Sequence, residues 1–175
     1  MGNNLRFILK SLPHPYPYES SSVTERWGML SINLLNNGES IMLLETQWDM
    51  ALLINWFCEN EKFIQSEELI ICEHLSLSIS GSISKHINHL LERDFSEDEE
   101  DIEDKWYEEI FNFRQRHALT SALRGANIPD IFVGINHGQG EISLHSHDDS
   151  WCYQFDMNDF ISYFLDQVEI FQKAY

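Results

Sequence analysis

Apolar residues along this chain recur with two periods. Short runs that alternate in and out mark strands, and stretches with apolar residues three and four apart mark helices. Leu5 to Leu9 reads as a first strand. Pro13, Pro15 and Pro17 then exclude helix and central strand as far as Ser22, with Tyr16 and Tyr18 expected to pack this segment onto the body. Trp27–Leu35 and Glu39–Thr46 flank Asn36-Asn37-Gly38, a hairpin signal because Asn and Gly tolerate positive φ. Thr46 reads as an N-cap supported by Asp49, opening a helix over Trp48–Asn60 that is apolar around most of its girth and therefore central.

Glu67–Leu77 predicts a strand, with Leu69, Ile71, Leu75 and Leu77 turned inward, ended by Gly81. A cap at Ser82 or Ser84 opens a helix to about Arg93, with Ile83, Ile87, Leu90 and Leu91 at helical spacing. Helical periodicity returns over Lys105–Leu119, where Trp106, Ile110, Phe113 and His117 form a stripe flanked by Tyr107 and Phe111. After Gly125 and Pro129 comes a meander of Ile131–Asn136, Glu141–Ser146 and Trp151–Phe155. Its turns are His137-Gly138-Gln139-Gly140 and His147-Asp148-Asp149. Asp156 or Asn158 caps a last helix to about Lys173, with Phe160, Ile161, Phe164, Leu165, Val168 and Phe171 on one apolar face. Strands and helices in blocks, joined by hairpins, predict an α+β fold: one domain over residues 1–175, helices packed on an antiparallel or mixed sheet, and a C-terminal three-strand meander followed by a helix. No internal linker divides the chain.

Composition changes the picture in one respect, charge. Across 175 residues, 29 acids face 11 bases, for a net −18. Such a surface repels phosphate and disfavours direct contact with nucleic acid or anionic membrane, while favouring a basic protein partner. Between Glu92 and Glu109, eleven acids and two bases concentrate half of that net charge. The reading is an acidic loop over about 94–104, with Glu97, Asp98, Glu99, Glu100, Asp101, Glu103 and Asp104 as an electrostatic landing surface. Trp106 and Tyr107 just beyond it are candidate anchors, since aromatic residues carry much of the energy of interfaces.

No export signal opens the chain, and Met50–Cys58, interrupted by Asn55, falls far short of the roughly 20 residues of a membrane span. A cytosolic location is expected. Cys58, Cys72 and Cys152 form no close pair and read as reduced, buried thiols.

Catalytic chemistry finds no motif. Ser80-Gly81-Ser82 is not a nucleophile elbow, and Gly138-Gln139-Gly140 lacks the lysine and the following helix of a phosphate loop. His145 and His147, two apart on a predicted strand with Asp148 and Asp149 next, are the residue types of a zinc or iron site, but tight-turn hydrogen bonding accounts for them and no metal or cofactor is assigned. His86 and His89 share a helix face without a carboxylate to complete a set. Arg114, Arg116, His117 and Arg124 break the acidic field, and Arg114 and Arg116 are expected to pair with nearby acids.

The acidic build, the Ile131–Phe155 meander running into the aromatic-rich Met157–Phe164, and the missing enzyme motif together resemble the immunity proteins of bacterial contact-dependent growth inhibition and related polymorphic toxin systems. The resemblance covers the C-terminal 45 residues loosely and transfers no functional residue. It implies a cytosolic antitoxin that occludes the active site or substrate surface of one cognate basic toxin, often a nuclease. Three other readings stay open: a nucleic-acid mimic that blocks a DNA-binding enzyme, a metal-dependent enzyme built on His145 and His147, and a non-inhibitory adaptor.

Overall fold

A computed structural model describes residues 2–16, 25–69, 78–92 and 100–174, with the backbone alone for 100–103. The first hairpin turns where the sequence predicts it. Asn37 and Gly38 take φ of 49° and 89°, the left-handed values a two-residue hairpin requires. The turn joins β2 (Trp27–Asn36) to β3 (Glu39–Asp49), and β1 (Asn4–Ser11) pairs antiparallel with β2 on its other side. In register, Leu5 faces Leu34, Phe7 faces Ile32 and Leu9 faces Leu30, and all six are buried.

The second hairpin repeats the device, with His137 and Gly138 at φ of 51° and 73°. It joins β4 (Ile131–Asn136) to β5 (Gln139–His145), and β6 (Ser150–Phe155) completes the antiparallel meander. The α+β class stands, as two separate sheets, each of three strands among the described residues. Nothing in the local pattern of a strand tells which other hairpin it joins.

Helix α1 (Met50–Ser66) follows β3 without a loop. Thr46 is not its cap: the strand runs through to Asp49, whose carboxylate accepts from the Ala51 amide at 3.0 Å and the Arg26 amide at 2.9 Å. An aspartate at that position satisfies an orphan amide more directly than a residue one turn earlier. Nor is α1 buried all round. Met50, Leu53, Ile54, Trp56, Phe57 and Ile64 face inward, whereas Leu52 and Phe63 are exposed. Helix α5 (Met157–Lys173) is capped by Asp156, which accepts from the Asp159 amide. Its Phe160 and Phe164 rings meet Phe7 at 5.0 and 5.5 Å, and Phe164 meets Phe57 at 4.6 Å. One apolar core therefore runs through β1, β2, α1, α5 and the inner face of the second sheet, including Ile131, Ile142 and Phe155, and makes the chain a single domain. Each fully buried Phe or Leu there contributes about 1.5–3 kcal/mol.

Helices α2 (Ile79–Glu92) and α3 (Glu100–His117) cover the other face of the second sheet, around Phe132. The short α4 (Leu119–Ala122) leads from α3 toward β4. Gly81 does not break the chain but lies in the first turn of α2, so the helix begins before Ser82 and Ser84. The strand expected over Glu67–Leu77 lies mostly outside the described residues; Glu68 makes one parallel bridge to Ile135. Cys72 and Tyr18 also lie outside them, and Tyr16 is exposed rather than packed down. Cys58 and Cys152 are exposed, contrary to the expectation of buried thiols. Among the described residues, no helix is long and apolar enough to cross a membrane.

Candidate functional site

Helix α3 has two ends with opposite tasks. Its C-terminal end is locked into the fold. His117 is fully buried, stacked on Phe113 at 3.9 Å between ring centroids. Its Nδ1 lies 3.0 Å from the Val133 carbonyl, and its Nε2 3.0 Å from Glu67 Oε2 at the end of α1. Gly134 makes room for the ring, since a Cβ there would lie 2.6 Å from His117 Nδ1. Glu67 also accepts two hydrogen bonds from the Arg116 guanidinium, which in turn covers the Phe63 ring. Arg114 pairs with Asp130 at 2.8 Å, and Arg124 donates to Gln115. Arg114 and Arg116 thus pair with acids, as expected, while the partner of Arg124 is an amide oxygen.

The electrostatics of this node oppose one another. Burial alone pushes the Glu67 carboxyl up, but hydrogen bonds and charge from Arg116 and His117 outweigh it and hold Glu67 below the ordinary carboxylate value. Burial pushes His117 below the ordinary imidazole value, against the pull of Glu67 and the Val133 carbonyl.

A buried carboxylate lies under α2. Glu141, almost fully buried, accepts from the Ile79 amide at 2.6 Å and from Asn136 Nδ2 at 2.6 Å, while Ser143 Oγ accepts from the Ser80 amide at 3.2 Å. The first amides of α2 are therefore capped by side chains of β5. Ser80 and Ser82 are both buried in the first turn of this helix. Cys152 is exposed on the same side of the meander. Partial burial, and then the nearby Glu141 carboxylate, push its thiol up to about 12.

Along the N-terminal half of α3, Asp104, Lys105, Tyr107, Glu108 and Glu109 are exposed. The loop expected over 94–104 needs correction in part: residues 100–104 are helix, and 94–99 lie outside the described residues. Glu97, Asp98 and Glu99 lie outside the described residues, and Glu100, Asp101 and Glu103 are placed by backbone alone. Asp104, Tyr107, Glu108 and Phe111 share one side of the helix by their spacing, and all four are exposed, Tyr107 by 37% and Phe111 by 60%. Trp106 is instead turned inward: it is half-buried, 5.1 Å from the His86 ring and against the smaller core. Ile110 and Phe113 continue that inner stripe. Of the two aromatic anchors expected, Tyr107 is exposed and Trp106 is half-buried; Phe111, which was not among them, is exposed as well.

The histidine hairpin does not assemble as expected. Strand β5 ends at His145, so His147 is off the strand in the following bend and no shared face forms. His145 Nδ1 is 3.1 Å from Ser150 Oγ, and His147 Nδ1 is 2.9 Å from Asp148, both in the open. Among the described residues, no three His, Cys, Asp or Glu side chains are grouped to hold a metal ion. His137 and Gly138 form the β4–β5 turn, where the Gly138 amide donates to Glu68 at 2.9 Å.

No family model matches the chain, and no curated protein or solved structure matches it significantly.

Proposed function

We propose that this protein binds and neutralises a basic protein in the cytosol, as an immunity protein neutralises a nuclease toxin, and that the N-terminal half of α3 makes the contact. One observation carries the reading: Tyr107 and Phe111, one turn apart, are solvent-exposed on the same side of α3 as the carboxylates Asp104 and Glu108. Aromatic side chains in the open lose free energy to water, and a partner that covers them recovers it. The carboxylates around them select a partner rich in Lys and Arg, and the net −18 raises the rate at which it arrives. Contacts over about 800 Å² per partner make a standard interface, which the side of one helix and its surroundings can supply.

The test starts with native mass spectrometry of the full chain after incubation with lysate of its source cells, at low and high salt. A stoichiometric basic partner whose nuclease activity disappears on binding supports the proposal. A partner that stays active when bound would make the protein an adaptor instead. Substituting Glu97, Asp98, Glu99 and Asp101 together by their amides should slow association and flatten its salt dependence. Tyr107→Ala with Phe111→Ala should instead speed dissociation by about tenfold or more.

A further inference from the structure

Strand β3 is eleven residues long and none of them is buried. It pairs with β2 on one side, and among the described residues no strand pairs with its other side. The N–H and C=O groups along such an edge are a template for another strand. Natural edges are commonly blunted with lysine or proline, and β3 has neither. It carries only a bulge: Ile32 faces Leu44 and Asn33 faces Met42, which leaves Leu43 as the extra residue. The edge divides there into Glu39–Met42 and Leu44–Asp49. Near the bulge Met42 is 62% exposed and Ile41 41% exposed, apolar surface that an added strand would cover.

Charge selects the occupant. The ionisable residues of β3 are Glu39, Glu45 and Asp49, without a single base. A second copy of the chain, aligned antiparallel end to end, would set Glu39 against Asp49 at both ends, and like charges directly opposite destabilise a strand pair. A segment bearing Lys or Arg at those positions gains the same energies with the opposite sign. We infer that the free edge of β3 is a docking surface for an extended, lysine- or arginine-bearing segment of a partner protein, which adds as a strand. Main-chain hydrogen bonds supply the affinity, and Glu39 and Glu45 supply the selection. This surface lies on a different element from Tyr107 and Phe111, and the inference shares with the reading above only the sign of the partner's charge.

The test is selection of displayed random segments of about nine residues, the span of a strand along β3, on the full-length protein. Amide exchange of the protein with each selected segment is then recorded. Enriched segments should carry Lys or Arg among β-formers, and should slow exchange at alternate β3 amides. Methylating alternate amides of a segment should abolish its binding. Glu39→Lys with Glu45→Lys, both at exposed positions, should weaken binding by about tenfold or more. Asp104→Asn with Glu108→Gln on α3 should leave it unchanged. Segments without bases, protection confined to α3, full binding by methylated segments, or no enrichment would each overturn the inference. So would β3 protection that rises with the protein's own concentration alone, which would give the edge to a second copy.

Discussion

His117 Nε2 and Glu67 Oε2 meet at 3.0 Å and join the end of α3 to the end of α1. The contact is buried on the histidine side and closed on the glutamate side by Arg116. Both ring nitrogens of His117 face acceptors, the Glu67 carboxylate and the Val133 carbonyl. The ring therefore orients two helices and the second sheet at one point.

Removing it should be costly. His117→Ala empties a fully buried site and leaves Glu67 without one of its donors, for an expected loss of about 3 kcal/mol or more. Arg124→Ala, an exposed change, should stay within about 0.5 kcal/mol. Urea denaturation of the two variants, followed by circular dichroism, checks both values; similar midpoints would mean that the node does not hold the helices.

The same node gives stability a pH dependence of known sign. His117 titrates below its ordinary 6.5 in the folded chain, so the unfolded chain binds its proton first as pH falls. Its contribution is complete above 6.5 and is lost as pH drops from there through the folded value. Glu67 titrates below its ordinary 4.5, so its contribution is present above 4.5 and lost on further acidification. Urea midpoints measured between about pH 8 and pH 4 should decline toward acid, and His117→Gln should remove the first part of the decline.

Glu141 holds the start of α2. Glu141→Leu leaves the Ile79 amide and one Asn136 donor without this acceptor, for an expected cost of about 2–4 kcal/mol, whereas Glu141→Gln should cost about 1 kcal/mol. Amide exchange distinguishes a local from a global effect: the first turn of α2 should exchange faster in Glu141→Leu while α5 keeps most of its protection.

Cys152 should react slowly despite its exposure. With the thiol at about 12, only on the order of one molecule in ten thousand is thiolate at pH 8. In a variant carrying Cys58→Ser and Cys72→Ser, alkylation by iodoacetamide should be slow, and Glu141→Gln should speed it by about tenfold. Fast labelling of the parent Cys152 would show that its surroundings do not disfavour the thiolate.

What the sequence made legible was local. Asn37-Gly38 and His137-Gly138 announce their hairpins because positive φ is a property of the residues themselves. Asp156 announces α5 because its cap is three residues away. The helical stripe through Trp106, Ile110, Phe113 and His117 is inward-facing as its spacing predicts. The start of α2 was only half legible: Ser78 caps it locally, its hydroxyl accepting from the Gly81 amide, whereas the acceptor for the first amide is Glu141, 62 residues further on. Glu67 and His117 are likewise 50 residues apart, and no motif links them. A histidine on an apolar stripe was the one signal of a buried polar node. The division of six strands into two sheets depends on pairing that no single strand encodes. At the candidate site, periodicity identified the helix and its outward aromatics, and Trp106, placed on the apolar stripe by its spacing, is half-buried against the smaller core.

The capping of α2 from β5 also fixes an order of assembly. A helix of fourteen residues is marginal in water, and this one has its first amides completed by Glu141 and Ser143 of β5. The hairpin of β4 and β5 is made of neighbours and can close early. The full cap of α2 waits for it, although the helix comes off the ribosome first. Until residue 143 has been synthesised, the Ile79 and Ser80 amides lack these acceptors, and the start of the helix rests on Ser78, whose hydroxyl accepts from the Gly81 amide.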